Sequence, residues 1–178
     1  MVGIDASIIS LMLHPGAKPP RDPVTKKPVD RIRDRIEQLL EDLDNDSERM
    51  ILPTPALSEF LVLAGKQAPE YLDRIAEMKT LLVRPFDERA AIELAALELD
   101  DREKGDKRGG SKDPWQKVKF DRQIVVIAKI NGAKRMYSDD DGVVKFCARV
   151  GIDPVSSWEL PLPAAKQMTL LDNKGEVS

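Results

Sequence analysis

Short strand-like segments alternate with longer helical segments along this chain, and that order constrains the fold more than any other feature. It predicts an α/β fold, a three-layer α/β/α sandwich with a mostly parallel central sheet. The predicted strands are Val2–Ile4, Met50–Leu52, Leu81–Val83, Arg135–Tyr137 and Pro154–Val155. The predicted helices are Ser7–Leu13, Asp30–Leu43, Pro55–Ala64 with Thr54 as its N-cap, Glu70–Lys79, Asp87–Leu99 capped by Asp87, Lys117–Ile130 and Gly142–Val150.

The predicted strands and helices fall in one domain, residues 1–158, which is followed by a tail at 159–178. Two stretches interrupt the regular pattern and are predicted to be inserted loops. The first, near 14–29, is rich in proline, and the second, near 100–115, is charged and contains glycine. A chain of 178 residues with 42% hydrophobic residues is long enough to bury the core of one such domain.

The composition excludes several classes of site. Cys147 is the only cysteine and His14 the only histidine, so we expect neither an internal disulfide nor a zinc centre. The lone cysteine predicts a protein of the reducing cytoplasm. No apolar run approaches the roughly 18 residues of a membrane span, which predicts no membrane association. The net charge of −3 gives no overall basic field, so any attraction to nucleic acid must be local.

Four acidic blocks lie at the ends of predicted strands or on the helices that follow them: Asp5, Glu59, Asp121 and the triplet 139–141. In a parallel sheet the carboxyl ends of the strands open onto one crevice, where such side chains would meet. Carboxylates that converge there call for a divalent cation, because unpaired buried charges are costly. The pattern therefore predicts a site for Mg²⁺ or Mn²⁺.

Each acidic block also has a simpler interpretation. Asp5 could cap the helix that begins near Ser7, one member of the triplet could cap the next helix, and Glu59 could be solvated or stabilise a helix N-terminus. Asp121 is more informative than most of the acids, because its helix face continues with Ile124 and Ala128 and a lone carboxylate there is expensive.

Three segments together resemble the PIN domain, the fold of the VapC-like ribonuclease toxins. IDAS resembles the opening aspartate of the family, TPALSEFL resembles the segment that carries its glutamate, and FDRQIVVIAKINGAKRMYSDDDG resembles the stretch with its last two aspartates. The resemblance covers residues 2 to about 155. The two inserted loops depart from the compact toxins.

The resemblance implies an endoribonuclease that cuts RNA, with DNA as an open alternative, and that uses Mg²⁺ or Mn²⁺. It implies the toxin of a toxin–antitoxin pair, neutralised by an antitoxin protein and usually a homodimer. By position, the four catalytic acids are Asp5, Glu59, Asp121 and Asp140. Glu59 would be a ligand or would hold a metal-bound water, and Asp139 is the rival of Asp140 among the metal ligands. The hydroxyl residues that accompany the first and last acids are Ser7 and Ser138.

Basic residues outside the acidic blocks are candidates for contacts with substrate phosphates. The stretch 15–35 holds seven basic residues against three acids, and a second basic cluster precedes Asp121. Either stretch could equally be a solvated surface loop. A PIN-like module that binds nucleic acid or protein without cleaving is the alternative function. The basic residues that we select from these two stretches are Lys26, Lys27, Arg31 and Lys119.

Overall fold

The computed structural model describes residues 1–163 as one α/β/α sandwich around a five-stranded sheet. The strand order is β3-β2-β1-β4-β5 and every pairing is parallel, which confirms the predicted fold class. The strands are β1 Val2–Ile4, β2 Met50–Pro53, β3 Leu81–Arg84, β4 Arg135–Tyr137 and β5 Asp153–Val155.

Within residues 1–163, seven α-helices connect the strands, and they cover both faces of the sheet. None of the helices in residues 1–163 is long and apolar enough to cross a lipid bilayer. The helices are α1 Ala6–Leu13, α2 Ile32–Asn45, α3 Thr54–Ala64, α4 Ala68–Glu77, α5 Glu88–Glu103, α6 Trp115–Ile130 and α7 Asp141–Val150.

The strand order reverses at β1. From β1 the chain adds β2 and then β3 on one side, and β4 and then β5 are added on the other side. The loops that leave the carboxyl ends of β1 and β4 therefore diverge and open a crevice between them, which is where ligands bind in open parallel sheets. Asp5 follows β1 and Ser138 follows β4, so both lie at this crevice.

The core brings α6 close to the central strand. Ile4, Ile51 and Met136 from three neighbouring strands are fully buried. A Cβ added to Gly3 on β1 would overlap Sδ of Met136 and lie 3.0 Å from Cβ of Ala128 on α6. Glycine at this position therefore lets α6 pack directly against the sheet. Helix α6 also carries Asp121, so this packing sets how far that residue lies from the crevice.

Most predicted helix bounds differ from the observed ones by one or two residues, and two details of the predicted helices are wrong beyond that. Thr54 is not an N-cap, because β2 runs straight into α3 and Pro53 takes the extended backbone of the cap position. Helix α5 does not stop at Leu99 but continues to Glu103, four residues into the predicted charged loop. Asp101 lies in that last turn, where it is buried and forms ion pairs with arginines of two other helices. These tertiary contacts stabilise helical residues that lie beyond the end of the apolar pattern.

The chain beyond β5 still contacts the domain. A single 3-10 turn spans Ser157–Glu159, and Leu160 after it is buried. The backbone carbonyl of Leu160 accepts a hydrogen bond from Arg35 on α2. The rest of the predicted tail, residues 164–178, lies outside the described residues.

Candidate functional site

Asp5 lies at the carboxyl end of β1, and its side chain is 4% exposed. Its Oδ1 caps α1 by accepting hydrogen bonds from the backbone amides of Ser7 (2.9 Å) and Ile8 (3.1 Å) and from the Ser7 hydroxyl (2.6 Å). Its Oδ2 accepts a hydrogen bond from the hydroxyl of Ser138, which follows β4. Asp5 is therefore a helix cap, and it also joins the two strands that flank the crevice.

Burial raises the pKa of Asp5 to about 6, although the hydrogen bonds from Ser138, Ser7 and Ile8 oppose that rise. A carboxyl with a raised pKa binds its proton more tightly in the folded state than in the unfolded state. Its contribution to stability is therefore complete below the unfolded pKa near 3.8 and is lost as the pH rises through 6.

Raising the pH in EDTA should therefore destabilise the wild type relative to Asp5→Asn, which has no titrating group at this position. We expect the difference in the free energy of unfolding to change by about 2 kcal/mol between pH 4.5 and pH 7.5. Urea unfolding of both proteins at several pH values measures it. A difference that does not vary with pH would contradict a raised pKa at Asp5.

Asp121 and Asp140 face each other across the same crevice. Asp121, on α6, is 7% exposed, and burial followed by the nearby charge of Asp140 raises its pKa despite a hydrogen bond from Lys117. Asp140 caps α7 through the amides of Gly142 (2.7 Å) and Val143 (3.3 Å). Burial by itself would raise the pKa of Asp140, but hydrogen bonds from Lys117 and from these amides outweigh it and lower the pKa.

Gly142 allows the Asp121 carboxylate to lie against the start of α7. A Cβ at Gly142 would overlap Oδ2 of Asp121, and would lie 3.0 Å from Cγ of Asp121 and from Oδ1 of Asp140. A side chain at position 142 would therefore displace the Asp121 carboxylate, whereas glycine leaves room for both carboxyl groups.

Lys117 lies between these two acids, a feature that the sequence analysis missed. Its Nζ is 3.1 Å from Oδ2 of Asp121 and 2.9 and 2.8 Å from the two oxygens of Asp140. Partial burial by itself would lower the pKa of Lys117, but its hydrogen bonds with Asp140 and Asp121 outweigh it and raise the pKa. The spacing of four residues between Lys117 and Asp121 on one helix was the available signal, since residues four apart lie on the same helix face.

Asp139 is used differently from Asp140. Its Oδ1 accepts a hydrogen bond from the amide of Ser157 and its Oδ2 accepts one from the Ser157 hydroxyl, both at 2.7 Å. Burial raises the pKa of Asp139, and the bonds from Ser157 oppose that rise. Both oxygens of Asp139 thus bind the turn after β5, whereas Asp140 is the member of the pair that meets Asp121.

Glu59 lies on the exposed side of α3 and faces the same crevice. Its pKa is raised by partial burial and then by the charges of Asp121 and Asp140, with Lys117 acting in the opposite direction. All four acids that the sequence analysis selected therefore line one open cleft of about 1050 Å³. They are Asp5, Glu59, Asp121 and Asp140.

The predicted hydroxyl and basic residues are divided between the cleft and the surface. Ser7 lines the cleft, and Ser138 is buried beneath it in contact with Asp5. Among the described residues, the cleft is not lined by any of the four predicted basic contacts. Lys26 and Lys27 are exposed in the turn closed by the Arg21–Pro28 bridge, Arg31 precedes α2, and Lys119 is exposed on α6.

Other basic side chains line the cleft and the pocket beside it. Lys18 lines the cleft together with Lys117. A second pocket of about 440 Å³ shares Asp121 with the cleft and is rich in cationic side chains. They are Arg108, Lys112, Arg122, Lys145 and Arg149.

The acids of the cleft have the ligand chemistry that a hard divalent cation requires, but their side chains are not arranged as a metal site in this structure. Carboxylate oxygens are the ligands that Mg²⁺ and Mn²⁺ take in proteins. Within residues 1–163, however, no three Asp, Glu, His or Cys side chains lie close enough together to form a ready-made metal site. In this structure Asp121 and Asp140 are both paired with the ammonium group of Lys117.

Comparison with known proteins gives no family for this chain. No protein-family model matches it. No curated protein matches it significantly either.

Proposed function

We propose that this chain is a metal-dependent nuclease that hydrolyses phosphodiester bonds in RNA. The observation that carries the proposal is the meeting of Asp5, Glu59, Asp121 and Asp140, which are far apart in the sequence, on one cleft. Helix capping accounts for Asp5 and Asp140. It does not account for a nearly buried carboxyl in the middle of α6, nor for a glutamate that faces it.

Asp5, Asp121 and Asp140 would hold the cation, with Asp139 bracing the loop beside them. When bound, Mg²⁺ or Mn²⁺ lowers the pKa of water and polarises the phosphate. Ser7 fixes the orientation of the Asp5 carboxylate through a hydrogen bond of 2.6 Å. The other residue that holds this carboxylate is Ser138, which binds its second oxygen.

Glu59 is the residue of the cleft best suited to accept a proton from the attacking water. It lies at the exposed edge of the cleft, where substrate and solvent enter. Its pKa is raised, which makes it a better base than an ordinary surface glutamate. The buried position of Asp5, by contrast, suits a fixed ligand.

Substrate phosphates would contact the basic side chains that border the acids. Lys18 lines the cleft, and Arg108, Lys112 and Lys145 line the pocket that shares Asp121 with it. A strand that crosses Asp121 would thus have cations on both sides of the acidic centre. Its binding should weaken as salt is added, because phosphate contacts release counterions. The toxin role, the antitoxin and the homodimer follow from the resemblance to PIN domains and stay predictions.

The second candidate is a PIN-like module that binds nucleic acid or protein without cleaving. One observation favours it: Lys117 already neutralises Asp121 and Asp140 through bonds of 2.8–3.1 Å. In that case the acids would serve only to join α6 to α7.

A cleavage assay on a panel of single-stranded and structured RNA and DNA separates the two candidates. The purified protein is incubated with each substrate in Mg²⁺, in Mn²⁺ and in EDTA. A parallel preparation of Asp121→Asn controls for contaminating nucleases. The nuclease proposal expects cleavage of RNA that EDTA stops and that excess metal restores. A panel that stays intact in every condition would contradict the proposal, and binding without cleavage would favour the second candidate.

A further inference from the structure

The ammonium group of Lys117 lies between a carboxylate of α6 and a carboxylate at the start of α7. It lies within 3.1 Å of three oxygens from two carboxyl groups, two of them on Asp140 and one on Asp121. A third acid, Asp113, has an oxygen 3.8 Å away. These contacts resemble the environment of a bound ion more than that of an isolated surface salt bridge, which usually joins one cation to one acid.

A divalent cation bound by the same oxygens cannot share this position with Lys117. A cation held by Asp121 and Asp140 would lie within a few ångströms of Nζ, where two positive charges repel strongly.

We propose that Lys117 is an internal counter-cation of the acidic cleft, and that a divalent cation binds there by displacing its ammonium group. This inference rests on the proposed metal-dependent function. Displacement carries the charge of Lys117 away from Asp121 and Asp140 and replaces it with the higher charge of the metal. Without metal, Lys117 keeps the two carboxylates paired and the start of α7 in contact with α6.

The surroundings of Lys117 permit this movement. Its side chain is 41% exposed and lies at the edge of the cleft, so it can leave without opening the core. Asp113 lies one helical turn earlier, at the approach to α6, and its side chain is 43% exposed. It therefore offers the released ammonium a second acidic partner within reach of the same lysine.

Isothermal titration of Mn²⁺ into wild type, Lys117→Met and Lys119→Met tests the proposal without any substrate. Lys119 is a matched control, because it is an exposed lysine on the same helix. We expect Lys117→Met to bind Mn²⁺ at least about tenfold more tightly than wild type, since a competing positive charge is gone. Lys119→Met should bind like wild type. Equal affinity in Lys117→Met and wild type would overturn the proposal.

Thermal unfolding provides a second readout. In EDTA, Lys117→Met should melt below wild type, because Asp121 and Asp140 lose their counter-cation, and saturating Mn²⁺ should remove that difference. Lys117→Arg keeps the positive charge and should keep the weak metal affinity of wild type. If Lys117→Met does not fold, Lys117→Gln removes the charge while its amide still donates to the carboxylates, and the same gain in affinity is expected of it.

The outcomes distinguish this inference from the nuclease proposal. Metal-dependent cleavage by wild type, combined with unchanged Mn²⁺ affinity in both neutral variants, overturns the inference alone. Tighter Mn²⁺ binding in the neutral variants without cleavage of any substrate supports the inference and contradicts the nuclease. Absence of Mn²⁺ binding in every variant contradicts both.

Discussion

Replacing Asp5 with asparagine will reduce metal-dependent cleavage about 1,000-fold, which corresponds to roughly 4 kcal/mol of transition-state stabilisation. The substitution removes the charge of this carboxylate and turns the oxygen that accepts from Ser138 into an amide donor. Asparagine is as good an N-cap as aspartate, so its carbonyl can still accept from the amides of Ser7 and Ile8. The amide of the new side chain can donate to the hydroxyl oxygen of Ser138, which keeps β1 joined to β4.

The measurement is kcat/KM on the best substrate of the panel, at saturating metal, together with the melting temperature. Asp141→Asn is the matched control, because Asp141 belongs to the same acidic block but is exposed and pairs with Lys145 on the surface. We expect that control to cleave like wild type. If Asp5→Asn cleaves as fast as Asp141→Asn, Asp5 is only a helix cap and the site assignment fails.

Replacing Asp101 with alanine will lower the free energy of unfolding by about 3 kcal/mol or more, the range measured when one partner of a buried ion pair is removed. Asp101 is 3% exposed at the end of α5. Its Oδ2 is 2.8 Å from Nη2 of Arg122 on α6 and 2.9 Å from Nη1 of Arg149 on α7. Its Oδ1 accepts a second hydrogen bond from Arg149.

The loss is large because Arg122 is buried and cannot return to water when its partner is removed. Glu98 compensates only in part, since its Oε1 is 3.8 Å from Nη1 of Arg122, too far for a hydrogen bond. This remaining ion pair places the expected effect nearer the lower end of the range. In a chain of this size, about 3 kcal/mol corresponds to a fall in melting temperature of roughly 10 °C.

Thermal or urea unfolding of Asp101→Ala measures this effect, and Asp100→Ala is its control. Asp100 is the adjacent residue, but it is exposed and pairs with exposed Lys104, so its loss should cost less than about 0.5 kcal/mol. Equal melting temperatures for the two variants would show that the buried network does not stabilise the packing of α5, α6 and α7.

Much of the fold could be predicted from the sequence, because local sequence patterns determine where strands, helices and caps form. Short apolar segments identified the strands, and two of them, β1 and β4, match the predicted bounds to the residue. The capping of α5 by Asp87 was also predicted correctly, since a cap depends on a few consecutive residues. The order of strands and helices then required parallel pairing, which places the four candidate acids at one edge of the sheet.

The pairing of side chains across the cleft was decided only by the tertiary structure. Lys117 and Asp140 are 23 residues apart, and Asp101 and Arg149 are 48 apart, so no local rule links them. Lys26, Lys27 and Arg31 looked like a basic patch beside the site, yet only the first part of their loop, around Lys18, lines the cleft, and these three residues do not. Sequence patterns determined which residues reach the carboxyl edge of the sheet, because strand and helix periodicity are local. Which of these charges neutralise one another depends on how α5, α6 and α7 pack, and that packing is set by contacts between distant parts of the chain.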